Sequence, residues 1–140
     1  MIVLDTGVIY AAFDSGDVNN RACVDLMMDL RVSQYELLVP ATVSAEVGYL
    51  LQTRLGAAAE SDFAKSLALG DFVPIDFLHE DYVRMSALVG KYQDLPLGIT
   101  DASVIALSER LGLTEFATLD HRHFSVVRPW HVTAFALLPD

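Results

Sequence analysis

Residues 1–7 read Met1-Ile2-Val3-Leu4-Asp5-Thr6-Gly7. An unbroken apolar run, rather than one alternating with polar residues, is the pattern of a central parallel strand covered on both faces. This run stops on Asp5. A carboxylate at the mouth of a buried strand is costly unless a partner or a bound cation compensates it, so the rest of the chain has to supply that compensation.

Working outward, "NRACVDLMMDL" places Ala22, Leu26 and Leu30 four residues apart and predicts a helix over about 19–31. "ELLVP" is a second strand, ended by Pro40, which has no amide to give to a ladder. "ATVSAEVGYLLQTRLG" changes to helical period, with Val43, Val47, Leu50, Leu51 and Arg54 on one side and Gly56 as its stop. A further helix is predicted over about 57–69. "DFVPID" reads as a short or edge strand because Pro74 lies inside it. "LHEDYVRMSALVGKYQ" is a helix with Tyr82, Met85, Val89 and Tyr92 on one side. "GITDASVIALSERLG" is another, with Asp101 in its first turn and Gly112 beyond its end. "EFATLD" is a strand ending on Asp120, and "VTAFALLP" a last strand. This alternation predicts an α/β fold, a three-layer α/β/α arrangement around a central, mainly parallel sheet with right-handed crossovers. Without internal repeats, low-complexity segments or linkers, residues 1–140 read as a single domain.

The composition narrows the function. Nineteen acidic residues against nine basic ones give a net charge of −10, which repels polyphosphates at long range. A divalent cation held by gathered carboxylates would reverse that field locally. No apolar run spans a bilayer and no basic segment followed by a long apolar stretch opens the chain, so the expectation is a cytoplasmic protein without membrane contact. The lone Cys23 agrees with a reducing compartment and reads as a buried thiol.

The acids fall in a pattern. Functional groups of open parallel sheets collect beyond the carboxyl ends of the strands, where Asp5 and Asp120 stand. Asp101, in a first helical turn, meets free amides and a favourable helix dipole expected to keep it deprotonated. Glu46 lies at the margin of its helix's core-facing stripe, about 40° around the axis from Leu50 at roughly 100° per residue. Four carboxylates without a counterion would raise one another's pKa values. An all-oxygen donor set suits Mg²⁺ or Mn²⁺, ions that activate water for attack on a phosphodiester.

Taken together, "MIVLDTGVIYAAFD", Glu46 within "PATVSAEVGYLL", "YQDLPLGITDASVIALSERLG" and "FATLDHRHFSVVRP" resemble the PIN-domain ribonucleases, specifically the VapC-type toxins of toxin–antitoxin pairs. The resemblance runs through nearly the whole chain in order and spacing. It implies a PIN-like fold and a catalytic, metal-binding set of Asp5, Glu46, Asp101 and Asp120 holding Mg²⁺ or Mn²⁺. Thr6 would support that site. It also implies cleavage of a tRNA or rRNA, inhibition by a cognate VapB-type antitoxin, and a homodimer. Asp94 and Thr118 are additional supporting candidates, Thr118 because strand alternation turns it to the same side as Asp120. His121, Arg122, His123 and Arg128 follow the last acid and are expected to contact RNA, with Lys91 and Arg54 bordering the cleft.

Rival classes fit less well. A phosphoaspartyl phosphatase wants a paired Asp-x-Asp after the first strand, where Asp5 is followed by Thr6-Gly7. A receiver domain wants an acidic pair ahead of its phosphorylated Asp. A DNA-directed nuclease and a silent PIN-like interaction module remain the alternatives; four retained acids weigh against the second.

Overall fold

In the computed structural model, which describes residues 1–140, the elements are β1 (Ile2–Leu4), α1 (Thr6–Phe13), α2 (Asn20–Val32), β2 (Leu37–Pro40), α3 (Ala41–Leu55), α4 (Ala57–Leu69), β3 (Val73–Ile75), α5 (His79–Lys91), α6 (Ile99–Arg110), β4 (Glu115–Ala117), α7 (His121–Phe124) and β5 (Ala136–Leu138). The strands form one sheet in the order β3-β2-β1-β4-β5. Every pairing is parallel, with Val3 opposite both Leu38 and Phe116. The α/β class and the parallel sheet are as the sequence predicts, and β3, which carries Pro74, lies at an edge.

The strand order determines where a site can form. The chain steps from β1 outward to β2 and β3, then returns past β1 to lay down β4 and β5. Right-handed crossovers place the outward helices α1–α4 over one face and the returning α5 and α6 over the other. Accordingly α1 packs on α2 and α3, and α3 on α4, whereas α5 packs on α6. Direction reverses between β1 and β4, so the crevice beyond their carboxyl ends is the topological switch point.

One apolar cluster fills both faces of the sheet, with Ile2, Val3 and Leu4 fully buried at its centre. Phe116 meets the rings of Phe124 and Phe135 edge-on at 4.8 and 4.9 Å, fastening α7 and the approach to β5 onto β4. Between the returning helices, buried Asp81 accepts hydrogen bonds from Arg110 Nε at 2.9 and 3.0 Å and from the Leu78 amide at 2.9 Å. Beside it Arg84 bridges Glu109 in two bonds of 2.7 and 2.9 Å and stacks on Trp130. Cys23 is a buried free thiol whose pKa burial pushes up to about 11, as expected for an inert side chain.

Several local readings change. Residues 6–13, to which the sequence reading assigns no element, form the helix α1, and the segment after Asp120 opens with the four-residue α7. The core stripe of α2 is Cys23, Met27 and Leu30 rather than Ala22, Leu26 and Leu30. That of α5 is Asp81, Met85 and Leu88, with Tyr82 exposed. Arg54 is exposed and lies over the Tyr10 ring instead of joining the core side of α3.

Candidate active site

Four segments converge on the switch-point crevice. β1 delivers Asp5, whose backbone amide still bonds Ala117 of β4 at 2.8 Å. α3, starting directly after β2, carries Glu46 on its exposed side above the same edge. α6 begins with Ile99 and brings Asp101 in its first turn. Asp120 follows β4 as the N-cap of α7. Asp5, Thr6, Glu46, Asp101 and Asp120, with Gly7, Leu50 and Leu119, line one open pocket of about 430 Å³. A hydrogen bond of 2.6 Å between Thr42 and Ser103 ties α3 to α6, the helices that carry Glu46 and Asp101. Neither residue stands out in the sequence, because a cross-helix hydroxyl pair leaves no periodic signal.

Asp5 is held on both oxygens: Oδ1 accepts the Thr6 amide at 2.8 Å and Oδ2 the Thr118 hydroxyl at 2.8 Å. Thr118 Oγ1 in turn accepts the Asp120 amide at 3.0 Å, so a single hydroxyl links the first acid to the last. Burial pushes the Asp5 carboxyl from 3.8 up to about 6; the Thr118 and Thr6 bonds oppose the rise, and Asp101 and Glu46 add to it. Asp101 is also raised, by burial first and by Asp120 and Glu46, against the pull of the Gly98 amide and His123. The shift runs against the effect expected of a helix terminus, because burial and neighbouring carboxylates outweigh it.

The bases after Asp120 divide into two groups. The imidazoles turn inward: His121 Nε2 lies 3.1 Å from the Thr118 carbonyl, and His123 Nδ1 2.6 Å from Asp120 Oδ2. Arg122 and Arg128 are exposed, the latter with its amide on the Tyr92 hydroxyl and one guanidinium N–H on the Ser125 carbonyl. Asp94 is exposed in the turn between α5 and α6 and does not line the pocket. The His123 contact was open to detection, since Asp120 and His123 stand three apart at a helix start.

Two features bear on whether the pocket suits a divalent cation. The donors are carboxylate oxygens, the set that hard cations take. The Thr6 hydroxyl is buried at the pocket with no hydrogen-bond partner, an orphan that a bound, hydrated group would satisfy. No three acidic or imidazole side chains form a ready-made metal cage. The carboxylates of Asp5, Glu46, Asp101 and Asp120 line one pocket without closing around a common point.

The PIN domain model matches residues 2–128, and the chain belongs to the PIN-domain family. Within that family it is VapC-type: it is 33% identical over 141 residues to ribonuclease VapC26 of Mycobacterium tuberculosis, covering 99% of this chain and all of that one. Its fold matches that of VapC20 of Mycobacterium tuberculosis, a sarcin-ricin loop cleaving toxin, with a TM-score of 0.77, 18% identity, and coverage of 95% of this chain and 99% of the other. VapBC2 of Rickettsia felis, solved with a DNA fragment from its promoter, matches at a TM-score of 0.67 and 14% identity over 98% and 97% of the two chains. FitAcB of Neisseria gonorrhoeae matches at 0.61 and 20% over 89% and 91%.

Proposed function

We propose that this protein is a metal-dependent endoribonuclease, the toxin of a VapBC-type pair, acting through Asp5, Glu46, Asp101 and Asp120. The observation that carries the reading is the gathering of these four carboxylates, from four separate segments, into one pocket with Asp5 buried. Kinship with ribonuclease VapC26 supports the reaction class. The sarcin-ricin activity named for VapC20 makes a structured RNA loop, in tRNA or rRNA, the substrate to try first.

The four acids would hold Mg²⁺, or Mn²⁺ in its place. Bound there, the ion supplies a Lewis acid that activates water and stabilises charge on the phosphodiester. Thr118 and the Thr6 amide fix the rotamer of Asp5 through both carboxylate oxygens, and the free Thr6 hydroxyl is placed to donate to a substrate or solvent oxygen in the pocket. Arg122 and Arg128 are solvent-facing cations on the segment after Asp120. They hold phosphates against the repulsion of a chain carrying −10.

The same charge suits a basic antitoxin segment as the natural inhibitor of the acidic pocket. VapBC2, a VapB–VapC pair by its name, supports a VapB-type partner, and the protein acts as a homodimer. No helix is long and apolar enough to cross a membrane. Mapping the ends of cleaved RNA tests the chemistry: water attack leaves a 5′-phosphate and a 3′-hydroxyl, whereas a 2′,3′-cyclic phosphate, or cleavage confined to DNA, contradicts it.

A further inference from the structure

Asp120 is held at three points, two of them supplied by the four-residue α7. Its first turn caps on Asp120, with the His123 amide donating to Oδ1 at 3.1 Å. The His123 ring then reaches back, and Nδ1 stands 2.6 Å from Oδ2. From below, the Asp120 amide is fixed on Thr118 Oγ1, itself the donor to Asp5. A carboxylate acts here as acceptor, so the contact assigns the donor hydrogen to Nδ1. One residue therefore engages both oxygens of Asp120, once through its backbone and once through its side chain.

We propose that His123 is a positioning residue: its Nδ1–H fixes the rotamer of Asp120, leaving the remaining lone pairs of that carboxylate turned to the pocket. This rests on the reading of the pocket as a divalent-cation site. A free Asp120 would rotate about χ1 and χ2, and the bond from Nδ1 removes that freedom before any ligand arrives. Hydrogen-bonded outer partners of this kind carry 10- to 100-fold in metal affinity or activity. The ring is only partly exposed and spends its Nδ1–H on Asp120, so Arg122 rather than His123 is the free cation of this turn.

The imidazole geometry suggests its own control. An asparagine side chain places its amide nitrogen near where Nδ1 lies, whereas a glutamine nitrogen falls nearer Nε2. Mn²⁺ binding by calorimetry, on chelator-cleared full-length protein, is measured for wild type, His123→Asn, His123→Gln and His123→Ala, alongside RNA cleavage and urea unfolding. The expected result is at least ten-fold weaker Mn²⁺ binding for Ala and Gln, restored to within about three-fold of wild type by Asn, with cleavage following the same order. In ¹⁵N-histidine spectra of the metal-free protein, His123 should carry its proton on Nδ1 and lose that signature in Asp120→Ala. Equal Mn²⁺ binding by all four proteins, or Asn no better than Gln at equal stability, overturns the proposal. If the Ala variant does not fold, the Asn and Gln pair decides. Wild-type protein that binds no Mn²⁺ overturns the pocket reading itself. Protein that binds Mn²⁺ but cuts no RNA overturns only the nuclease assignment, and the four affinities still decide the role of His123.

Discussion

Replacing Asp5 by Asn should stabilise the metal-free protein, although it removes the most deeply placed acid of the site. Burial raises the Asp5 carboxyl from 3.8 to about 6. Because the folded pKa lies above the unfolded one, its contribution to stability is full below about pH 3.8 and is lost as pH rises through about 6. At 1.36 kcal/mol per pH unit the loss is about 3 kcal/mol. Asn never ionises and escapes this penalty. Its Oδ1 still accepts the Thr6 amide, but its Nδ2 faces Thr118 Oγ1, which now donates to Oδ2 at 2.8 Å and already accepts the Asp120 amide. Exchanging that charge-assisted bond for a weaker one costs about 1 kcal/mol. The net expectation is an Asp5→Asn protein roughly 1–2 kcal/mol more stable than wild type at pH 8 in chelator. That advantage should vanish near pH 4. Urea unfolding at the two pH values measures it, and added Mn²⁺ should reverse the order at pH 8 by stabilising wild type through mass action. A variant less stable than wild type in chelator at pH 8, or a difference that ignores pH, would refute the reasoning.

Asp81→Ala leaves the Leu78 amide without its acceptor and Arg110 without its partner, though the guanidinium keeps access to solvent; a loss of about 1–3 kcal/mol by urea unfolding is expected. The double substitution Asp81→Leu with Arg110→Met should recover much of it, and a single-variant loss below about 1 kcal/mol would contradict the burial argument. Exchanging Arg122 and Arg128 for Ala removes two exposed cations. The slope of log K for RNA against log salt should become shallower by about 1.4 if both meet single-stranded phosphates. An unchanged slope assigns phosphate binding elsewhere.

Much of this architecture is legible from local pattern. β1 is followed directly by Asp5, β4 ends at Ala117, three residues short of the end predicted at Asp120, and the reversal of strand order beside β1 makes those two strand ends neighbours. Pro74 marks the edge, and Gly56, at φ 102°, separates α3 from α4. What escaped the sequence has physical causes. In α1 the run from Val8 to Ala11 is buried on every side, so there is no polar face to expose a helical period. α7 is shorter than two turns and has no period to detect. On α5 the core stripe includes Asp81, a charge that pattern reading assigns to solvent; its burial depends on the Leu78 amide and on Arg110, 29 residues away, a partner that no local pattern reveals. The site shows the same division. The places of Asp5, Asp101 and Asp120 follow from strand ends and a helix start, while the elevation of Asp101 depends on how closely other segments crowd it. For Asp5 and Asp120, capping and site membership coexist, because the atoms that end a strand and start a helix are the ones that face the crevice.

In the proposed function, Asp5, Glu46, Asp101 and Asp120 form one cation-dependent nuclease centre. Its most direct test is cleavage of total cellular RNA by purified, antitoxin-free protein, with Mg²⁺ or Mn²⁺ and with chelator, beside folded Asp5→Asn and Asp101→Asn variants. Cuts at a few positions are expected, abolished by chelator, restored by the metal and absent in both variants; cleavage that persists in chelator, or in either variant, would contradict a cation-dependent carboxylate centre.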